Sequence, residues 1–69
     1  MANPKYRMGD KVRGVKGPGG SMEPERRNLG REGFITGVCI LRGAGCYHYT
    51  VLYSDTSTDH IDETCLERA

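Results

Sequence analysis

The sequence predicts a small all-β domain, and three observations support this fold class. The 69 residues leave room for a single domain, residues 1–69. Glycine or proline interrupts every window before residue 47 that could form an amphipathic helix of useful length. The apolar residues instead recur with a period close to two, which is typical of half-buried strands. We therefore expect short strands joined by turns.

Five segments have the composition of strands, and we expect a helical turn before the last one. The strand segments are residues 11–16, 32–41, 46–54, 58–61 and 65–67. The second is rich in β-branched and aromatic residues, and the third alternates most cleanly between its two faces. Residues 62–64 predict the single helical turn, residues 1–5 a flexible end, and residues 17–31 a long loop after the first strand.

The third segment predicts which side chains share a face of the sheet. One face carries Tyr47, Tyr49, Val51 and Tyr53, and the other carries His48, Thr50 and Leu52. In the second segment, Ile35, Cys39 and Leu41 are expected to share a face. Apolar groups on both faces indicate an outer surface that another copy of the chain covers, unless the twist of a small barrel hides them by itself. A homo-oligomer is also expected because so short a chain buries only about 60% of its unfolded surface.

Several short motifs resemble those of small SH3-like barrels, the Tudor-like domains among them. They are Met8-Gly9-Asp10-Lys11-Val12-Arg13, Gly33-Phe34-Ile35-Thr36-Gly37-Val38, the run from Tyr49 to Asp55, His60-Ile61 and the closing Leu66-Glu67. The resemblance implies a five-stranded SH3-like barrel with a long first loop and a short helical turn before the last strand. It implies no single function, because this barrel carries many unrelated activities.

The chain is also similar to the plasmid-borne, trimethoprim-insensitive (type II) dihydrofolate reductases. The similarity lies in the Met-Gly-Asp-basic-Val-Arg opening and in the end Leu66-Glu67-Arg68. Those enzymes are tetramers with a central pore, in which a Val-Gln-Ile-Tyr run holds the nicotinamide cofactor and the folate. Here residues 57–62 read Ser-Thr-Asp-His-Ile-Asp, and the position of the pore lysine falls on Gly14. The resemblance therefore implies a related architecture without the reductase site.

Charge is balanced over the whole chain and uneven along it. Ten Lys and Arg stand against nine Asp and Glu, a net charge of +1. A module that grips duplex DNA through its phosphates normally has a clear basic excess. Basic residues dominate residues 5–31 and acidic residues dominate residues 55–67, so we expect a two-signed molecule with a basic region.

The long loop is the first candidate site. Its glycine-rich start, residues 17–21, can expose successive backbone N–H groups, and three arginines follow. Amides and the planar fork of arginine suit a phosphate or another anion. The expected electrostatic contacts are Lys11, Arg13, Arg26, Arg27 and Arg31. The alternative is a solvated loop that holds no ligand.

The tyrosines are the second candidate. In Tudor-like domains, aromatic rings at the barrel edge form cages for methylated lysine or arginine, held by cation–π attraction. The residues equally fit a core role for Tyr49 and Tyr53, and this is the interpretation we expect. Tyr47, at the start of its strand, and the adjacent His48 complete the predicted ligand contacts.

Metal binding and catalysis have weaker support in the sequence. Cys39, Cys46, His48, His60 and Cys65 are zinc-ligand types without a CxxC pair, so we expect no metal, only structural thiols and two surface imidazoles. Cys46 with His48, or Cys65 with His60, would make a nucleophile and a base. Neither pair has an orienting third group, and so small a barrel has no deep cleft of its own. We therefore expect neither an enzyme nor a cofactor.

Together these features predict a non-catalytic, homo-oligomeric binding module for an anionic ligand. A nucleotide-type small molecule or a single-stranded nucleic acid fits, with a tyrosine to stack on a base. Three cysteines, the lack of a signal peptide and the lack of an apolar span favour the cytoplasm and no membrane contact. By analogy with small stand-alone barrels, the source would be a phage or a plasmid. The alternatives are a Tudor-like module for a protein or peptide, and a divergent pore-type dihydrofolate reductase.

Overall fold

A computed structural model describes residues 3–17, 23–40 and 47–69, and in them five antiparallel strands form one sheet. The strands are β1 (Lys11–Gly14), β2 (Glu32–Ile40), β3 (Tyr47–Tyr53), β4 (Thr58–Asp62) and β5 (Leu66–Arg68), in the sheet order β4-β3-β2-β1-β5. Two 3₁₀ turns, Arg26–Asn28 and Glu63–Cys65, lie before β2 and before β5. The all-β class, the five strands and the short helical turn before the last strand are confirmed. No helix of the described ranges is long and apolar enough to cross a membrane.

The predicted strand bounds agree with the observed ones to within two residues where they can be compared. The first strand ends at Gly14 rather than at residue 16, because the loop returns there: Gly30 N–H donates to the Gly14 carbonyl at 2.8 Å. The expected ends at Leu41 and Cys46, and the glycine-rich part of the loop after Gly17, lie outside the described residues.

The core lies on the inner face of the sheet. Its buried side chains are Tyr6, Val12, Ile35, Tyr49, Val51, Tyr53, Ile61, Cys65 and Leu66. The Tyr6 ring packs edge-on against Tyr49, with 5.3 Å between ring centres, and the Tyr6 hydroxyl donates to the Leu66 carbonyl at 2.9 Å. These contacts fix the segment before β1 to β3 and to β5.

A β-bulge in β2 changes which residues share a face. Ile35 pairs with Val51, but the next pair is Gly37 with Thr50, which leaves Thr36 as the extra residue. Beyond the bulge the alternation is reversed, so Ile35 is buried while Cys39 is exposed. The prediction that Ile35 and Cys39 share a face is therefore wrong.

The second half of the long loop is folded against the sheet. Asn28 is fully buried, and its Nδ2 donates to Oδ2 of Asp59 at 2.9 Å. The same oxygen accepts the Tyr53 hydroxyl at 3.1 Å and the Glu25 amide at 3.3 Å. A buried carboxyl group with three donors ties residues 25–28 to β3 and β4, because leaving any of these polar groups unpaired would be costly.

Candidate functional site

An apolar pair stands on the outer face of the sheet. Phe34 of β2 is 51% exposed, and its cross-strand neighbour Leu52 of β3 is 36% exposed. On the other side of Phe34, the register places Lys11 of β1. Directly paired residues of antiparallel strands point to the same face, so a cation, a ring and an aliphatic side chain follow one another across three strands.

These residues line a groove of about 640 Å³. Its walls are formed by Lys11, Arg31, Glu32, Gly33, Phe34, Leu52, Tyr53 and Ser54. The volume falls within the range of small-ligand sites, roughly 300–1,000 Å³. Gly33 is required in this wall, because a Cβ there would lie 2.7 Å from both the Leu52 carbonyl oxygen and Val51 Cγ1.

The cations on β1 are paired with carboxylates. Lys11 Nζ lies 3.0 Å from Oε1 of Glu32, and Arg13 lies 3.1 Å from Oε2 of Glu32 and 3.2 Å from Glu67. The hydrogen bonds from Lys11, then from Arg13, hold the pKa of Glu32 below its ordinary value. All four side chains are substantially exposed, and water screens such pairs strongly.

Arg31 is held on several sides. Its guanidinium faces the Asp55 carboxylate with two N–O distances of 3.3 Å. Its Nη1 also donates to Oδ1 of Asn28 at 2.7 Å, and its Cζ lies 4.9 Å from the centre of the Tyr53 ring. Asp55 in turn accepts from the amide and the hydroxyl of Ser57. The Ser57 hydroxyl and then Arg31 hold the pKa of Asp55 far below its usual range.

The five predicted cations do not form one cluster in the loop. Lys11 and Arg31 line the groove, and Arg13 lies on the outer face beside it. Arg26 and Arg27 belong to the exposed first 3₁₀ turn, where Arg27 Nε pairs with Glu25 at 3.1 Å. The structure thus divides the predicted basic site into two groove residues, one neighbour and two loop residues.

Tyr49 and Tyr53 are core residues, as expected. The Tyr49 hydroxyl donates to Glu63 at 2.7 Å, and burial together with this bond raises the pKa of Tyr49 to about 12. Burial and the negative charge of Asp59 likewise raise the pKa of Tyr53. Both rings are buried, although Tyr53 also contributes to the wall of the groove. Tyr47 is half-buried and packs against the same core.

His48 is buried, so the expectation of two surface imidazoles is wrong for this residue. Only 4% of it is exposed, and among the described residues neither ring nitrogen has a hydrogen-bond partner. Its cross-strand neighbour Asp62 is buried as well. Burial would raise the pKa of Asp62, but hydrogen bonds from Thr64 outweigh this and lower it. His60 is exposed, with Nδ1 3.2 Å from the Thr50 hydroxyl.

The two thiols of the described residues differ in their exposure. Cys39 is exposed and Cys65 is buried, and burial raises the pKa of the Cys65 thiol. Cys46 lies outside the described residues, and with it the predicted pair of Cys46 and His48. Within the ranges described, no three His, Cys, Asp or Glu side chains are grouped so as to hold a metal ion.

Comparison of the chain with protein-family models, with curated proteins and with solved structures finds no match. The groove is therefore the main guide to function. The sequence predicts that Leu52 faces away from the tyrosines, but it does not assign Phe34 to a site. Successive strand residues face opposite sides, so the exposure of Phe34 follows once Ile35 is known to be buried.

Proposed function

We propose that this protein is a non-catalytic binding module whose outer-face groove takes an anionic ligand with an aromatic ring. A nucleotide or a segment of single-stranded nucleic acid is the ligand class. The observation that carries the proposal is the exposed ring of Phe34 in one groove with the cations Lys11 and Arg31.

The chemistry of the groove supports this ligand class. Bases stack on exposed aromatic side chains whatever their sequence, and each such contact is worth about 1–3 kcal/mol. Phosphate oxygens match the fork of an arginine and the point charge of a lysine. Leu52 extends the apolar floor beside Phe34, so a ring lying there would be in contact with both.

The strand order supports the finer assignment to the SH3-like barrels. In the sheet, β1 lies between β2 and β5. Along the chain, the long loop follows β1, and a short 3₁₀ turn precedes β5. The fold alone does not assign a function. A methyl-reading role of the Tudor-like kind is less well supported, because Tyr49 and Tyr53 are buried. A cytoplasmic location and an origin in a phage or plasmid remain proposals from the sequence.

The test is a fluorescence-anisotropy titration with labelled single-stranded DNA of about ten nucleotides, with ATP as a competitor. Replacing the stacking ring in F34A should weaken binding by about 5- to 150-fold, which corresponds to the loss of one stacked base. The matched control is M8A, because Met8 is also a large exposed apolar residue but does not line the groove. Circular dichroism should show that both variants remain folded.

Two results would contradict the proposal. One is the absence of binding to DNA, RNA and ATP by the unaltered protein at low salt. The other is an F34A variant that binds as tightly as M8A. If native mass spectrometry instead shows a dimer that F34A abolishes, with no nucleotide binding, the apolar pair belongs to an interface between two copies of the chain.

A further inference from the structure

Both cations of the groove are already occupied by a carboxylate. Lys11 is paired with Glu32, which itself lines the groove, and Arg31 is paired with Asp55. A ligand phosphate that binds either cation has to replace the carboxylate oxygen already there. The affinity of the groove therefore depends on two acidic residues as well as on two basic ones.

Each carboxylate has a second hydrogen-bonding partner, which it retains when a ligand phosphate binds its groove cation. Glu32 retains Arg13, whose Nη2 lies 3.1 Å from Oε2. Asp55 retains Ser57, whose hydroxyl donates to Oδ1 at 2.6 Å. Exchange with a ligand thus leaves each acid with a remaining partner as well as with water, because both side chains are exposed.

Arg31 also keeps its place when Asp55 leaves it. Asn28, which is fully buried, accepts from Nη1, and the Tyr53 ring lies against the guanidinium. Neither contact depends on Asp55. The guanidinium is therefore already oriented, with donors free to receive a phosphate in place of the carboxylate.

We propose that Glu32 and Asp55 are internal competitors of the ligand, which determine the affinity and specificity of the groove. This inference rests on the function proposed above. A ligand with two phosphate groups exchanges both carboxylates, whereas a ligand with one phosphate exchanges only one. The groove accordingly selects a nucleic-acid strand or a nucleoside polyphosphate over a nucleoside monophosphate.

The competing carboxylates can be neutralised without changing the shape of the side chains. E32Q and D55N should each bind the labelled single-stranded DNA about two- to five-fold more tightly, since only exposed ion pairs are lost: those of Glu32 with Lys11 and Arg13 in the first variant, and that of Asp55 with Arg31 in the second. The asparagine of D55N can still accept from Ser57. The matched control is E25Q, which removes the partner of Arg27 and the same charge, but outside the groove.

The outcomes separate this inference from the proposed function. Tighter binding by E32Q and D55N, with E25Q close to the unaltered protein, supports internal competition. Equal gains in affinity in all three variants would mean that net charge alone determines the effect. Unchanged or weaker binding by E32Q and D55N would overturn the inference, whereas the proposed function is tested separately by F34A. ATP should compete better than AMP, and equal competition would contradict the two-phosphate selection.

Discussion

Removing the Asn28 side chain tests whether the long loop is part of the folded core. In N28A, two hydrogen bonds disappear: the one from Nδ2 to Asp59 at 2.9 Å, and the one that Oδ1 accepts from Arg31 at 2.7 Å. Asn28 has no exposed surface, so water cannot replace these bonds without opening the loop.

The magnitude follows from the burial of the partners. A hydrogen bond to a charged group contributes about 1.5–3 kcal/mol, and Asp59 is buried. The Arg31 side chain is 32% exposed, so its bond is discounted for solvent screening. We expect the free energy of unfolding to fall by about 2–3 kcal/mol, from a total of roughly 3–10 kcal/mol for a domain of this size. The melting temperature should fall by about 10–20 °C.

The assay is urea denaturation followed by far-ultraviolet circular dichroism. The control is R27A, in the same 3₁₀ turn, because the exposed Arg27 side chain pairs with the exposed Glu25. Surface substitutions of this kind stay within about 0.5 kcal/mol. An N28A variant as stable as R27A would refute the conclusion that this network holds the loop to the sheet.

Two further predictions concern the backbone and the pH dependence of stability. Thr56 has a φ of 69°, a backbone conformation that strains a β-branched residue. T56G should therefore raise the free energy of unfolding by about 0.5–1 kcal/mol. A melting temperature of T56G below that of T56A would contradict this prediction. Because the pKa of Tyr49 is raised to about 12 from about 10 in the unfolded chain, its contribution to stability is complete below about pH 10 and is lost as the pH rises toward 12. Y49F should flatten this part of the alkaline loss in thermal melts, and a loss identical to that of the unaltered protein would show that Tyr49 does not cause it.

The strands were predictable because their signal is local. In β3, successive side chains point to opposite faces of the sheet, and Tyr49, Val51 and Tyr53 are buried on one face as this alternation predicts. The bulge in β2 was not predictable in this way. The extra residue Thr36 stands between Ile35 and Gly37. Because a glycine has no side chain, its residue type does not indicate whether the position is buried or exposed.

The two cations of the candidate site were predictable from the sequence, but the role of Phe34 and the ion pairs were not. Lys11 and Arg31 were recognisable as cations, but which acid each one meets depends on the register of the sheet. Arg31 and Asp55 are 24 residues apart, and Arg13 and Glu67 are 54 apart. Only the folded chain brings such residues together, so the sequence could name the cations and not say that they are neutralised.

The same pairing brings acidic residues from the end of the chain beside basic residues near its start. Because β5 lies beside β1, Glu67 lies opposite Arg13, and Arg68 pairs with Asp10. With a net charge of only +1, the molecule has little long-range field with which to attract an anion. Any selectivity of the groove must then arise at short range. Stacking on the ring of Phe34 and the proposed exchange of carboxylate for phosphate are both short-range interactions of this kind.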